Sequence, residues 1–312
     1  VADGCTDNTL GILHAIENIT VVAYVRNRGK GHALKTGFRT ALKQGFSYAI
    51  TLDGDGQHYP EDIPLFLQAN LQHPHALIIG SRQLEGVDRS KGSSFANRFS
   101  NFWFYVQTGR ALSDTQTGYR LYPLHRLHGL SLLTSRYEAE LELLVFASWH
   151  GVGIVPIPVQ VYYPPRDERV SHFRPGMDFA RISVLNTILC FLAVVYGLPL
   201  RLWRAFMTFF RTAYSLLFFL FFTLAVFTPF VWIYTRCGKM TEKKRLRLHQ
   251  LIYHASRFVM LRHGIPGTKY RFEVAEGIDF DKPRIIICNH QSHLDLICQL
   301  AFTPRIVFLT NA

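Results

Sequence analysis

The 312-residue chain has only five cysteines, and no two of them form a Cys-x-x-Cys pair. That excludes a disulfide framework and a zinc-finger spacing, and the scattered thiols read as reduced, in a cytosolic compartment. Internal repeats and low-complexity tracts are absent as well. Acidic residues are few, 22 against 34 Lys and Arg, so the net charge is +12. Such a balance implies acidic partners: phosphorylated substrates, anionic lipid or nucleic acid. Nothing resembles a basic nucleic-acid-binding helix, and the aromatic residues crowd into one apolar region, which favours membrane lipid over nucleic acid.

What is present begins with alternating strand and helix patterns over the first 165 or so residues. Val21 to Arg26 reads as a strand and Lys30 to Gln44 as a helix. Tyr48 to Leu52 is a strand, Glu61 to Gln72 a helix and Ala76 to Gly80 a strand. From about 138 an acid-rich helix leads to a strand, Ile154 to Tyr163. The alternation predicts an α/β domain with a doubly wound, Rossmann-like, mostly parallel sheet, whose ligands bind beyond the carboxyl ends of the strands.

The most telling segment lies at such an end. Leu52-Asp53-Gly54-Asp55-Gly56-Gln57-His58-Tyr59-Pro60-Glu61-Asp62 follows an apolar strand and leads into a helix start with Pro60 and two acids in its first turn. In extended chain, carboxylates at i and i+2 point the same way, so Asp53 and Asp55 can reach one hard cation. A divalent ion held there can carry a diphosphate. Three further constellations accompany it. Val1-Ala2-Asp3-Gly4-Cys5-Thr6-Asp7 reads as a strand end and turn, where an acid can bind a base or ribose or simply shape the turn. Asn27-Arg28-Gly29-Lys30-Gly31 sets a Lys between glycines at a helix start, close enough to meet a phosphate, though an ordinary loop with a solvated Lys fits equally. It lacks the P-loop spacing, which excludes that NTPase class. Gly80-Ser81-Arg82 and Asp114-Thr115-Gln116-Thr117-Gly118-Tyr119-Arg120 add an acid and two arginines, suited to a diphosphate or to a structural Asp–Arg ion pair.

Beyond a basic loop, Pro164 to Pro175, come two uncharged runs, Ile182 to Leu200 and Thr212 to Tyr234. Each has about the 20 residues needed to cross a bilayer. Arg201, Arg204 and Arg211 lie between them, and Lys239, Lys243, Lys244 and Arg245 follow. The placement of these charges favours a shallow hairpin or interfacial helices over two full spans. From about 245 a helix to Arg262 leads through strands Arg271–Val274 and Arg284–Cys288 into Asn289-His290-Gln291-Ser292-His293-Leu294-Asp295. There His290 and Asp295 can pair, the acid orienting the imidazole to take a proton from a hydroxyl that attacks a thioester. The chain opens on Val inside a motif, and residues 306–312 look like the start of another strand, so an internal fragment of a longer protein is expected.

Taken together, the motifs of residues 1–175 resemble family 2 glycosyltransferases of the GT-A fold, in particular the polyprenyl- or dolichyl-phosphate mannosyl- and glucosyltransferase branch. The resemblance implies that Asp3, Lys30, Asp53, Arg82 and Arg120 bind the nucleotide-sugar, with Asp3 at the base and Arg120 at phosphate. It also implies that Asp53, Asp55 and Gln57 hold Mg²⁺ or Mn²⁺, and that Asp114 lies on the acceptor side, as the candidate catalytic base if the acceptor is a hydroxyl, whereas a phosphate acceptor is already ionised and needs little base help. Arg169, Ser171 and His172 would lie along the acceptor next to the membrane. Ala2 and Cys5 depart from the family's usual Asp and Ser, and the family's first strand, which lies inside the sheet, is expected to be missing from this sequence, with part of the nucleotide pocket. Residues 241–312 resemble the start of a lysophospholipid acyltransferase of the 1-acylglycerol-3-phosphate type, with His290 and Asp295 catalytic and acyl-CoA or acyl-ACP as donor. This half is expected to be inactive without that family's later motifs. The expected order is therefore a GT-A domain (1–175), a membrane-associated helical segment (176–240) and the start of an α/β acyltransferase domain (241–312). Its partners would be a nucleotide-sugar, a lipid acceptor and a membrane, with both catalytic domains at the cytoplasmic face. A nucleotide-binding membrane scaffold without turnover is the alternative.

Overall fold

The structure is a computed structural model that describes residues 1–82, 91–130, 132–162 and 175–259. It divides into two compact units, Val1–Leu202 and Trp203–Ala312. The first begins with β1 (Ala2–Asp3), α1 (Thr9–His14), β2 (Ala23–Tyr24), α2 (Lys30–Lys43) and β3 (Tyr48–Thr51). A 3-10 turn, Pro60–Asp62, opens α3 (Ile63–Gln72), followed by β4 (Leu77–Arg82) and α4 (Lys91–Thr108). Then come β5 (Arg120–Pro123), α5 (Leu124–Leu127), α6 (Glu138–Trp149), β6 (Ile154–Val159) and α7 (Pro175–Leu192).

The strands form two sheets, a parallel pair β1-β2 and a four-stranded sheet in the order β3-β5-β4-β6. The α/β class holds, and β3, β4 and β6 of the larger sheet share one direction. Strand β5 alone is reversed, running antiparallel between β3 and β4, while β4 and β6 pair in parallel. The sequence pattern missed β5 because it is four residues long, Arg-Leu-Tyr-Pro, and too short to show a period. Its direction matters for the site. With Thr51 opposite Arg120 and Ile79 opposite Arg120, the residues entering β5 arrive beside the outgoing ends of β3 and β4.

Side chains alternate across the sheet as strand geometry requires. Ile78 and Leu121 point to a cluster with Phe66, Tyr119 and Val159 under α3. Leu77, Ile79 and Tyr122 point to the opposite cluster, with Phe104 of α4, Leu144 and Trp149 of α6, and Leu185 and Leu189 of α7. Helix α6 is buried on nearly all sides, including Glu140 and Glu142. The Glu142 carboxylate accepts from the Leu133 and Thr134 backbone N–H groups and from the Thr134 hydroxyl, so its burial is compensated.

Of the two expected forms, a hairpin or interfacial helices, the apolar runs do not take the hairpin. Helix continues for 58 residues from Phe179 to Arg236, long and apolar enough to cross a membrane. It comprises α7, a π-helical turn at Ala193–Gly197, α8 (Leu198–Phe221), a second π-helical turn at Phe222–Phe227 and α9 (Thr228–Arg236). Each π turn ends two residues before a proline, Pro199 or Pro229. A proline ring would clash with the carbonyl four residues back, and the wider turn relieves that clash without breaking the helix. One stripe of α7 belongs to the first unit's core, with Leu185 and Leu189 buried and the Gln107 side-chain amide donating to the Asn186 Oδ1 at 3.0 Å. The other stripe, with Val184, Ile188 and Phe191, is exposed. Gly197 rests against the Trp149 indole, where a Cβ would lie 2.7 Å from the ring. Arg201 donates to the Thr108 carbonyl at 2.8 Å at the end of α4.

In the second unit, Phe209, Leu216, Leu217, Phe221 and Leu224 are exposed along the helix. Helix α10 (Glu242–Phe258) starts at Thr241, whose hydroxyl accepts from the Lys244 N–H at 3.3 Å. The strands and the His290–Asp295 pair expected after it lie outside the described residues, as do Arg169, Ser171 and His172.

Phe66 is fully buried between α3 and the sheet. Phe66→Ala should cost about 3–5 kcal/mol, read as a lowered denaturation midpoint with unchanged slope. A cost near zero would contradict the packed layer.

Candidate active site

Close backbone approaches assemble the site. Thr51, the last residue of β3, donates its hydroxyl to the Gly118 carbonyl at 2.6 Å. This brings the segment before β5 alongside Asp53, and any Cβ at Gly118 would overlap the Asp53 carboxylate. On the other side, the loop Gly29–Gly31 lies directly on the start of α6. A Cβ at Gly29 would sit 2.7 Å from Arg136, one at Gly31 would overlap Ala139, and the His32 N–H donates to the Ser135 carbonyl at 2.9 Å. Gly29 also has φ +94°, the left-handed region that favours glycine.

That contact decides where Lys30 goes. From the first turn of α2 its ammonium bridges Asp53 Oδ1 at 2.5 Å and Glu140 Oε2 at 2.9 Å. Burial alone would lower its pKa, but Glu140 and Asp53 outweigh burial and lift it to about 12. Because the folded value lies above the ordinary 10.5, the pair's contribution to stability is complete below that pH and lost only as pH rises through about 12. Lys30 is therefore charged throughout the neutral range.

Asp53 and Asp55 are not equivalent. Gly54 and Asp55 form a turn, so the chain there is not extended as expected. Asp53 is half-buried and paired with Lys30, whereas Asp55 is exposed and accepts from the Gln57 N–H at 3.1 Å. The loop is pinned from behind, where Tyr162 N–H donates to the Gln57 carbonyl at 2.8 Å and Gln160 N–H to Asp62 Oδ2 at 3.0 Å. Asp53, Asp55 and Gln57 offer hard oxygen donors. No group of three or more His, Cys, Asp or Glu able to hold a metal occurs among the described residues. The donor set fits a divalent ion that completes its shell with water and substrate phosphate oxygens, the usual arrangement for Mg²⁺.

The remaining sequence-predicted residues divide clearly. Asp3 holds the loop before Lys30, its two carboxylate oxygens accepting from the Arg28 and Gly29 N–H groups at 2.7 Å each. Asp114 is 2 % exposed and gripped by Arg82, Nε to Oδ2 at 2.6 Å and Nη2 to Oδ1 at 2.9 Å, with the Gln116 N–H adding a third donor. The structural ion pair considered for these two residues is thus formed. Arg120, expected at phosphate, is 0 % exposed and donates to the carbonyls of Thr115, Thr117 and Glu140.

Two residues had no assigned role in the sequence. Glu140 was legible only as part of an acid-rich helix start. His58 stands inside the Asp53 motif and packs edge-on against Tyr119 at 5.2 Å. Both its ring nitrogens are buried without a hydrogen-bond partner. Burial lowers its pKa despite the opposing pull of Asp53 and Asp55, with Arg82 and Lys30 also contributing, so these four charged groups all act on one imidazole.

Comparison with known proteins follows the same lines. Residues 1–122 match glycosyl transferase family 2. An uncharacterized protein of Methanocaldococcus jannaschii is 31% identical over 169 residues, covering 52% of this chain and 69% of that protein. A UDP-N-acetylglucosamine–dolichyl-phosphate N-acetylglucosaminyltransferase of Methanococcus voltae is 28% identical over 185 residues, 52% of this chain and 73% of the relative. A polyprenol monophosphomannose synthase of Mycolicibacterium smegmatis is 29% identical over 174 residues, 51% and 64% respectively. The chain belongs to glycosyl transferase family 2.

Because Gly118 leaves room for only a hydrogen beside Asp53, Gly118→Ala should displace that carboxylate. Glycosyl transfer is expected to fall on the order of a hundredfold, as a shift of about 1 Å in a positioning group does, with the circular-dichroism spectrum preserved. Normal turnover would show that Asp53 need not sit where it does.

Proposed function

We propose that this glycosyltransferase moves a sugar from a nucleotide-sugar to a polyprenyl-phosphate-type lipid at the cytoplasmic face of a membrane, with Mg²⁺ or Mn²⁺ and inversion at the anomeric carbon. The observation that carries the reading is the cationic Lys30 fixed on Asp53 at the strand tips, next to the exposed Asp55. A divalent ion held by Asp53, Asp55 and Gln57 would neutralise the departing diphosphate. Lys30 adds a second positive charge at the same place, and its raised pKa keeps that charge through neutral pH. Hydrogen-bonded loops hold these groups before substrate arrives, so little reorganisation accompanies the reaction.

The engagement of Asp114 supports a phosphate acceptor. A hydroxyl acceptor needs a base to remove its proton, and Asp114 is buried and bound to Arg82. A phosphate acceptor is already ionised at neutral pH and needs none. The names of two relatives, a dolichyl-phosphate N-acetylglucosaminyltransferase and a polyprenol monophosphomannose synthase, point the same way. The exposed apolar helix supports a lipid partner.

Asp55→Ala should abolish chelator-sensitive transfer of radiolabelled sugar into an acid-labile lipid. Full activity of that variant defeats the metal assignment, and nucleotide binding without turnover in the parent protein favours the scaffold alternative. For residues 241–312 the acyltransferase reading rests on Asn289-His290-Gln291-Ser292 and Asp295 alone. In the longer protein, His290→Ala should eliminate transfer from a labelled acyl donor, and unchanged acyl transfer rejects the role.

A further inference from the structure

The bridge between Asp53, Lys30 and Glu140 raises a question of charge. A divalent ion at Asp53 and an ammonium on the same carboxylate repel each other, and one carboxylate oxygen is already taken by Lys30. The Lys30 backbone cannot retreat, because Gly29 and Gly31 are pressed onto the start of α6. Only the side chain can move. Its second partner is suited to receive it. The Glu140 side chain is 8% exposed, its Oε2 binds the ammonium, and its Oε1 has no hydrogen-bond partner. A buried carboxylate in that state strongly favours keeping its cation. Asp53, by contrast, is 27% exposed in its side chain and lies beside an exposed Asp55, so a cation from solvent can reach it.

We infer that Lys30 is a tethered cation that occupies Asp53 in competition with the divalent ion, and that Glu140 is the positioning residue that draws it aside. This rests on the metal-dependent reading above. When the ion takes Asp53, the ammonium shifts onto Glu140, still beside the metal loop and available to the diphosphate. The free site thus carries its own countercharge, and metal affinity is set by how strongly Glu140 competes for Lys30.

Mn²⁺ titration of the full chain in detergent, followed by electron paramagnetic resonance without nucleotide, tests this. Lys30→Met should tighten Mn²⁺ binding at least about tenfold, the scale on which a neighbouring opposite charge shifts a carboxylate's proton affinity. Glu140→Gln should weaken binding, since the ammonium then rests on Asp53 alone. In the Lys30→Met background the Glu140→Gln change should have no further effect, because Glu140 acts through Lys30. The double variant also guards against misfolding, as it leaves no buried carboxylate without its cation. If Lys30→Met fails to tighten Mn²⁺ binding, or Glu140→Gln weakens it equally in both backgrounds, the inference is overturned. Should either happen while parental sugar transfer stays chelator-sensitive, only the role of Lys30 falls. Transfer that survives chelation overturns the metal reading and this inference together.

Discussion

The ammonium of Lys30 is the point on which the site depends. It joins three elements that are far apart in the chain, the start of α2, the tip of β3 and the first turn of α6. Its partners are a half-exposed acid on the solvent side and a buried acid on the core side. The glycines around it have a common purpose, since each removes a side chain where backbone must touch a neighbour. Asp3 completes the arrangement from below by holding the Arg28 and Gly29 amides.

Antiparallel β5 is the second organising feature. A wholly parallel sheet would reach Asp114 through Arg120 only by a crossover. Running β5 back between β3 and β4 places that segment at the carboxyl ends of both neighbours. The result is one edge where Asp53, Arg82, Asp114 and Gly118 converge, although their motifs are up to 65 positions apart in the sequence.

Much of this was legible from the amino-acid pattern. The helices and strands of residues 21–82 stand within a few positions of their expected bounds, because each has a clear apolar period and a glycine or proline boundary. Lys30 and the Asp53 motif were each visible as candidate diphosphate groups, but their pairing was not. The roles of Arg82, Asp114 and Arg120 were not. An arginine that salt-bridges an acid, one that donates to backbone carbonyls and one that binds phosphate look alike in a sequence, and burial alone tells them apart. Glu140 was hidden among three acids of one helix. Only the register of that helix against the Gly29–Gly31 loop shows which of them faces Lys30. The continuous helix from Phe179 was obscured by Pro199, which reads as a breaker until the π turn before it is known.

That π turn also fixes the helix's angular phase. An α-helix advances about 100° per residue, and the wider turn at Ala193–Gly197 accommodates one residue more than α geometry would. The stripe that seats Leu185 and Leu189 in the core is thereby re-aimed before Gly197 reaches the Trp149 ring and Arg201 reaches the Thr108 carbonyl. A chain one residue shorter at this place would swing both contacts roughly a quarter-turn off target. The first unit would then lose its holds on this helix at Trp149 and Thr108, with every active-site residue intact.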